Sequence, residues 1–120
     1  MAKTRILFVD DEPNVLDGLR RMLRRHREEW EMIFVSSGAE ALAHLAEAPC
    51  DVIVTDMKMP GMIGIELLEK VVKQYPGMAR IVLSGQIDEA YTTRLVKLVH
   101  QFLSKPTDAD AIQAAVAKAC

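Results

Sequence analysis

Short unbroken apolar runs alternate along this chain with stretches where apolar residues recur every three or four positions. The first run, Arg5-Ile-Leu-Phe-Val9, is continuous and reads as a central strand of a parallel sheet, covered on both faces. It ends in Asp10-Asp11-Glu12 and then Pro13, a residue tolerated in the first turn of a helix. Val15, Leu16, Leu19, Met22 and Leu23 follow at i, i+1, i+4, i+7 and i+8, one apolar helix stripe that fades near His26 to Glu29. Glu31 to Val35 reads as a second strand. Ser37 to Glu40 gives Ser-x-x-Glu, a capping-box signal. Ala41, Leu42, Leu45 and Ala46 form the next stripe, which stops at Pro49.

Val52 to Thr55 is a short β-branched run bounded by turn residues, and it predicts a buried third strand with Asp56 following at its carboxyl end. After Pro60-Gly61, the positions Gly64, Leu67, Leu68, Val71, Val72 and Tyr75 mark a third helix, ended by Pro76-Gly77. Arg80 to Ser84 predicts a fourth strand. A fourth helix is expected from Asp88 to about Val99, although Thr92, Thr93 and Val96 are poor helix formers. Gln101 to Ser104 is a short fifth strand, followed by Lys105-Pro106. Thr107 caps a last helix with Asp108 and Asp110 in its first turn and Ile112, Ala115 and Val116 inward. Strand followed by helix, five times over, predicts an α/β fold with a parallel sheet covered on both faces. The carboxyl ends of all its strands then share one edge, where open α/β sheets bind their ligands.

Composition adds bounds. At 120 residues the chain suits one domain, expected over residues 1–120. Half of the residues are hydrophobic and 27% are charged, as a globular core requires. The net charge of −2 gives no argument for a nucleic-acid partner. Cys50 and Cys120 show no metal spacing; Cys50 is expected to be a small buried apolar residue, and no disulfide is expected. No apolar run approaches the ~20 residues of a membrane span. Met-Ala-Lys-Thr-Arg leads straight into a strand, so no signal peptide and a cytoplasmic location are expected.

The chemistry is concentrated on the shared edge. Strand one delivers Asp10 and Asp11, strand three Asp56, strand four Ser84 and strand five Lys105. Strand two delivers only Ser36 and Ser37. Each residue alone has a plain structural reading, as a cap, a turn or a solvated loop. Together they describe a site. Three carboxylates brought close repel one another unless a cation intervenes, and few protein ligands plus water suit Mg²⁺. A metal-held carboxylate beside a lysine and a hydroxyl makes a phosphoryl site, with a carboxylate oxygen as nucleophile.

The set Phe8-Val-Asp-Asp-Glu-Pro13, Val54-Thr-Asp-Met-Lys-Met-Pro-Gly61, Leu83-Ser-Gly85 and Phe102-Leu-Ser-Lys-Pro106 resembles the receiver domains of two-component response regulators, over essentially the whole chain. The resemblance implies a flavodoxin-like (βα)5 sheet of strand order 2-1-3-4-5, with Asp56 as phosphoacceptor. It implies Mg²⁺ held by Asp10, Asp11, Asp56 and the backbone carbonyl of Lys58. It places Ser84 and Lys105 on the phosphoryl group and makes Ser84 and Phe102 the switch pair. A histidine kinase is the implied donor, and the fourth helix, fifth strand and fifth helix are the implied output face. Such a module catalyses only its own phosphorylation and dephosphorylation. Lys58 and Gln86 occupy the two positions that tune phosphoryl lifetime. The chain departs from the pattern at Ile63, where an acid is common, at Ser84 in place of threonine, and at Phe102, which lacks a tyrosine hydroxyl. The stretches around Ser84 and Phe102 also look like those of receivers attached to HD-type or related signalling domains.

Other functions compete. A dehalogenase-like phosphatase wants a second acid two residues after the nucleophile, where this chain has Lys58. A flavodoxin-like cofactor binder wants a hydroxyl- and glycine-rich loop after strand one, where this loop is acidic. A receiver fold serving only as an interaction module would not need Asp10, Asp11, Asp56, Ser84 and Lys105 together. Arg20, Arg21, Arg24, Arg25 and Arg27 crowd the end of the first helix, but no aromatic residues interleave, so a solvated cationic helix end is the expected role. His26, His44 and His100 share no metal spacing, and Met57, Met59 and Met62 are expected as packing filler.

Overall fold

The computed structural model of the chain describes residues 3–56, 64–84, 99, 101–104 and 109–119. Five strands form one parallel sheet: β1 (Thr4–Val9), β2 (Trp30–Val35), β3 (Val52–Asp56), β4 (Ala79–Ser84) and β5 (Gln101–Ser104), in the order β2-β1-β3-β4-β5. The described helices are α1 (Pro13–Met22), α2 (Gly38–Glu47), α3 (Gly64–Gln74) and α4 (Ala109–Ala119), with a 3₁₀ turn at Arg24–His26 after α1. The helix expected over 88–99 lies outside the described residues, Val99 apart.

The two faces of the sheet follow the two-residue period of its strands. Ile6, Phe8, Val52, Val54, Ile81 and Leu83 face α1 and α4, where Leu16, Leu19, Leu23, Ile112, Ala115 and Val116 meet them. Leu7, Val9, Ile53 and Val82 face α2 and α3 and pack on Ala41, Leu45, Leu67, Leu68 and Val71. Strands buried on both sides must be apolar at consecutive positions, which is why β1 and β3 read as unbroken runs. On the first face the Phe8 and Phe34 rings stack with centroids 5.0 Å apart, and the Arg20 guanidinium lies 4.8 Å above Phe34.

The amino edge of the sheet is tied by Asp51. Its carboxylate accepts from the Arg5 N–H at 2.8 Å, its N–H donates to the Arg5 carbonyl at 2.9 Å, and its carbonyl accepts from Ala79 N–H at 2.9 Å. One acid thus sets β1, β3 and β4 in register, so that Val9, Thr55 and Val82 come side by side below the opposite edge.

The helix starts differ from expectation in one respect. Ser37 is the N-cap of α2 and accepts from the Glu40 N–H at 3.1 Å. The Glu40 carboxylate, however, accepts from the N–H and hydroxyl of Ser36, at 3.0 and 3.1 Å, one residue before the cap. Two donors on Ser36 hold the carboxylate better than the single cap N–H that a capping box offers.

Candidate functional site

The acids converge because the parallel ladder ends its central strands at one level. Val9 pairs with Thr55, so Asp10 follows β1 where Asp56 closes β3. Asp56 is the last strand residue, where sequence analysis ended the strand at Thr55. It is only 8% exposed and Asp10 only 2%, while Asp11 is half-buried. One carboxylate oxygen from each of Asp10, Asp11 and Asp56 can be chosen so that the three lie within 4.8 Å of one another.

Local bonds fix this arrangement. Asp10 N–H donates to the Val35 carbonyl at 3.2 Å, which carries the β1–β2 ladder one residue past the strands. Its Oδ1 accepts from the Glu12 N–H at 2.9 Å. The Glu12 side chain makes no capping bond to α1. Asp10 is therefore bonded both to the sheet edge and to the residue that opens α1. Thr55, fully buried, donates its hydroxyl to the Asp56 carbonyl at 2.9 Å. In the sequence the one signal of this hydroxyl is a polar residue inside an apolar strand.

The donor set fits a hard divalent cation. All three groups offer oxygen, two are withdrawn from solvent, and three carboxylates at this separation need a positive charge among them. Among the described residues no other group of three or more acids, histidines or cysteines gathers in this way.

The remaining predicted residues are placed less fully. Ser84 closes β4, one residue beyond Leu83, the register partner of Asp56, and so reaches the same edge. Phe102 lies in β5 opposite Val82. Lys58, Gln86 and Lys105 lie outside the described residues, as do Met57, Met59, Met62, His100 and Cys120. Cys50 is buried and free.

The arginines at and after the end of α1 are exposed. Arg21, Arg24, Arg25 and Arg27 line a shallow depression with Met22 and Glu28. Arg25 pairs with Asp110 at 3.3 Å, and Arg20 with Asp17 at 3.5 Å. Among the described residues no helix is long and apolar enough to cross a membrane.

Comparison with known proteins agrees with this geometry. Residues 6–117 match the response regulator receiver domain family. Over 103 residues the chain is 40% identical to the hydrogenase transcriptional regulatory protein HoxA of Cupriavidus necator, an overlap of 84% of this chain and 21% of that protein. It is 35% identical over 113 residues to the transcriptional regulatory protein GlrR of Escherichia coli, covering 92% of this chain and 25% of that one. The chain thus spans about a quarter or less of these curated relatives. The signal receiver domain of an HD domain-containing protein from Pseudomonas fluorescens superposes with a TM-score of 0.91 at 28% identity, over 98% of this chain and 94% of that one. A response regulator receiver domain protein from Clostridium thermocellum gives 0.85 at 31% identity, over 97% and 93%. The chain belongs to the response regulator receiver domains of two-component signalling.

Proposed function

We propose that this receiver takes a phosphoryl group from a histidine kinase onto Asp56 in a Mg²⁺-dependent reaction and passes the change to an output domain or partner protein. The observation that carries the reading is the gathering of Asp10, Asp11 and Asp56 at the carboxyl edge of the sheet, with two of the three buried. Asp10, Asp11, Asp56 and the Lys58 carbonyl would hold the ion. When bound, Mg²⁺ supplies positive charge against the carboxylates and the incoming phosphoryl oxygens.

An Asp56 carboxylate oxygen attacks phosphorus, the bond from phosphorus to the kinase imidazole breaks, and the nitrogen keeps the electron pair. Lys105 neutralises a phosphoryl oxygen and Ser84 donates a hydrogen bond to another. Movement of Ser84 toward the new group opens space that Phe102 fills by packing alone, since it has no hydroxyl. The surface formed by the segment 88–99, β5 and α4 changes with it. The shift is limited to the differential stabilisation that phosphorylation gives the active state. Lys58 and Gln86 set how long the group persists. The chain acts on no other substrate. The proposed setting is cytoplasmic, as a kinase donor that draws on ATP requires, and the net charge of −2 gives no support to direct nucleic-acid contact.

The output lies outside the receiver. The likeness to the receiver of an HD domain-containing protein supports an HD-type signalling domain. The relatives named as transcriptional regulators support a gene-regulating one.

Incubation with Mg²⁺ and a small phosphodonor, followed by intact mass measurement, tests the reading. A single phosphoryl gain is expected, absent in Asp56→Asn and without divalent cation. No gain in the wild-type chain, or steady turnover of varied phosphoesters, would overturn it.

A further inference from the structure

Thr55 places a hydroxyl where the fold calls for an aliphatic group. It is fully buried in the central strand, with Val9 and Val82 beside it in register. By strand alternation it shares the face of Ile53, which packs on α2 and α3. Valine would match its shape and its strand preference. A hydroxyl in such a layer costs free energy unless it is bonded. Its bond goes to the carbonyl of Asp56, at 2.9 Å.

That carbonyl belongs to the peptide plane joining Asp56 to Met57. Holding it restricts rotation about the Cα–C bond of Asp56, the torsion ψ. The rotamers open to a side chain depend on the backbone torsions of its own residue. The same plane also sets the direction in which the chain leaves toward Lys58. We infer that Thr55 is a positioning residue for the phosphoacceptor, its hydroxyl fixing the Asp56–Met57 peptide plane and so presetting the Asp56 carboxylate at the acidic edge. The role rests on the proposed function of Asp56.

The test compares Thr55→Val with wild type in three measurements: urea unfolding, Mg²⁺ titration by calorimetry, and the rate of phosphoryl gain from a small donor. The substitution keeps the packing but takes the hydroxyl donor from the Asp56 carbonyl, so the unfolding midpoint is expected to hold or fall slightly. Mg²⁺ affinity and phosphorylation rate are expected to fall by about tenfold, the lower end of what losing an outer-shell partner costs. Thr55→Ser should restore both. If valine disturbs the layer, Thr55→Ser against Thr55→Ala isolates the hydroxyl, and serine should exceed alanine by a similar factor. Equal Mg²⁺ affinity and rate with and without the hydroxyl overturn the role, whatever happens to stability. A wild-type chain that gains no phosphoryl overturns the assignment of Asp56 itself, and this role with it.

Discussion

Glu12 donates its backbone N–H to Asp10 Oδ1 at 2.9 Å, so the acid that ends the first strand is gripped by the chain two residues on. The bond from Asp10 N–H to the Val35 carbonyl holds it from the other side. Asp10 is thereby a fixed member of the acid cluster. Asp11 is the member nearest to solvent.

This difference makes Asp11 the residue to alter first. Two unit charges within 4.8 Å interact by about 3 kcal/mol at an effective dielectric of 20. Solvent around half-buried Asp11 reduces this to about 1 kcal/mol. Asp11→Asn should therefore raise stability by about 1 kcal/mol in metal-free buffer, measured by urea unfolding. It should also abolish most of the stabilisation that Mg²⁺ gives the wild-type chain, about 2.7 kcal/mol when the ion is at a hundred times its dissociation constant. A variant that responds to Mg²⁺ as the wild type does would remove Asp11 from the metal set.

The start of α2 offers a test that leaves the acids alone. Ser37→Ala removes the oxygen that receives the Glu40 N–H and should cost about 1 kcal/mol. Glu40→Gln keeps the size of the side chain and weakens two bonds to Ser36, for a loss of about 1 kcal/mol. Because Ser36, Ser37 and Glu40 form one small network, the double variant should lose less than the sum of the two. Additive losses in urea unfolding would show two independent bonds.

The acidic edge could be read from sequence because strand ends in a parallel sheet coincide. An acid after β1 and an acid after β3 must then become neighbours. The five strands could be read for a related reason, since burial on both faces forces runs such as Ile6 to Val9 and Val52 to Val54. What sequence could not supply was local bonding. Ser36 lies beside the cap and takes Glu40 because it offers two donors, a choice settled by geometry at one turn. Asp51 resembles any loop acid in sequence, yet it ties three strands. Thr55 is an ordinary strand residue until its hydroxyl is seen on the Asp56 carbonyl. Periodicity reports which face a residue takes, and it is silent on which atom a polar group selects.

Cys50 should make stability fall at alkaline pH. Burial pushes its thiol above the ordinary value, against a smaller lowering by the Arg5 charge. The folded state therefore keeps a proton that the unfolded state gives up. In the window above the unfolded thiol pKa, near 8.5, the unfolded chain binds fewer protons and stability declines as pH rises. Cys50→Ala should remove that part of the slope, read as urea midpoints between about pH 8 and 10. Alkylation followed site by site by mass spectrometry should find Cys50 slow in the folded protein and fast in urea. Rapid labelling of Cys50 without denaturant would contradict its burial.

The His26 ring stacks on Trp30, with centroids 4.7 Å apart and planes 21° from parallel. Both residues are buried, at 5% and 6% exposure. The nearest acid oxygen, Glu29 Oε2, is 3.8 Å from Nδ1, too far for a hydrogen bond. Neither ring nitrogen has a hydrogen-bond partner among the described residues. Stacking and apolar contact thus hold the ring, while its two polar atoms oppose burial. Removing unpaired polar atoms and keeping the shape should stabilise, so His26→Phe is expected to gain about 1 kcal/mol. His26→Ala loses the stack and leaves a cavity, and should cost about 2 kcal/mol or more. Trp30 is the sole tryptophan, so its fluorescence reports unfolding of this corner directly. If His26→Phe instead loses stability while His26→Gln does not, the ring nitrogens are bonded to solvent and the histidine is retained for polarity. A gain in His26→Phe fixes the opposite conclusion, that at this position the chain keeps a histidine at the expense of stability.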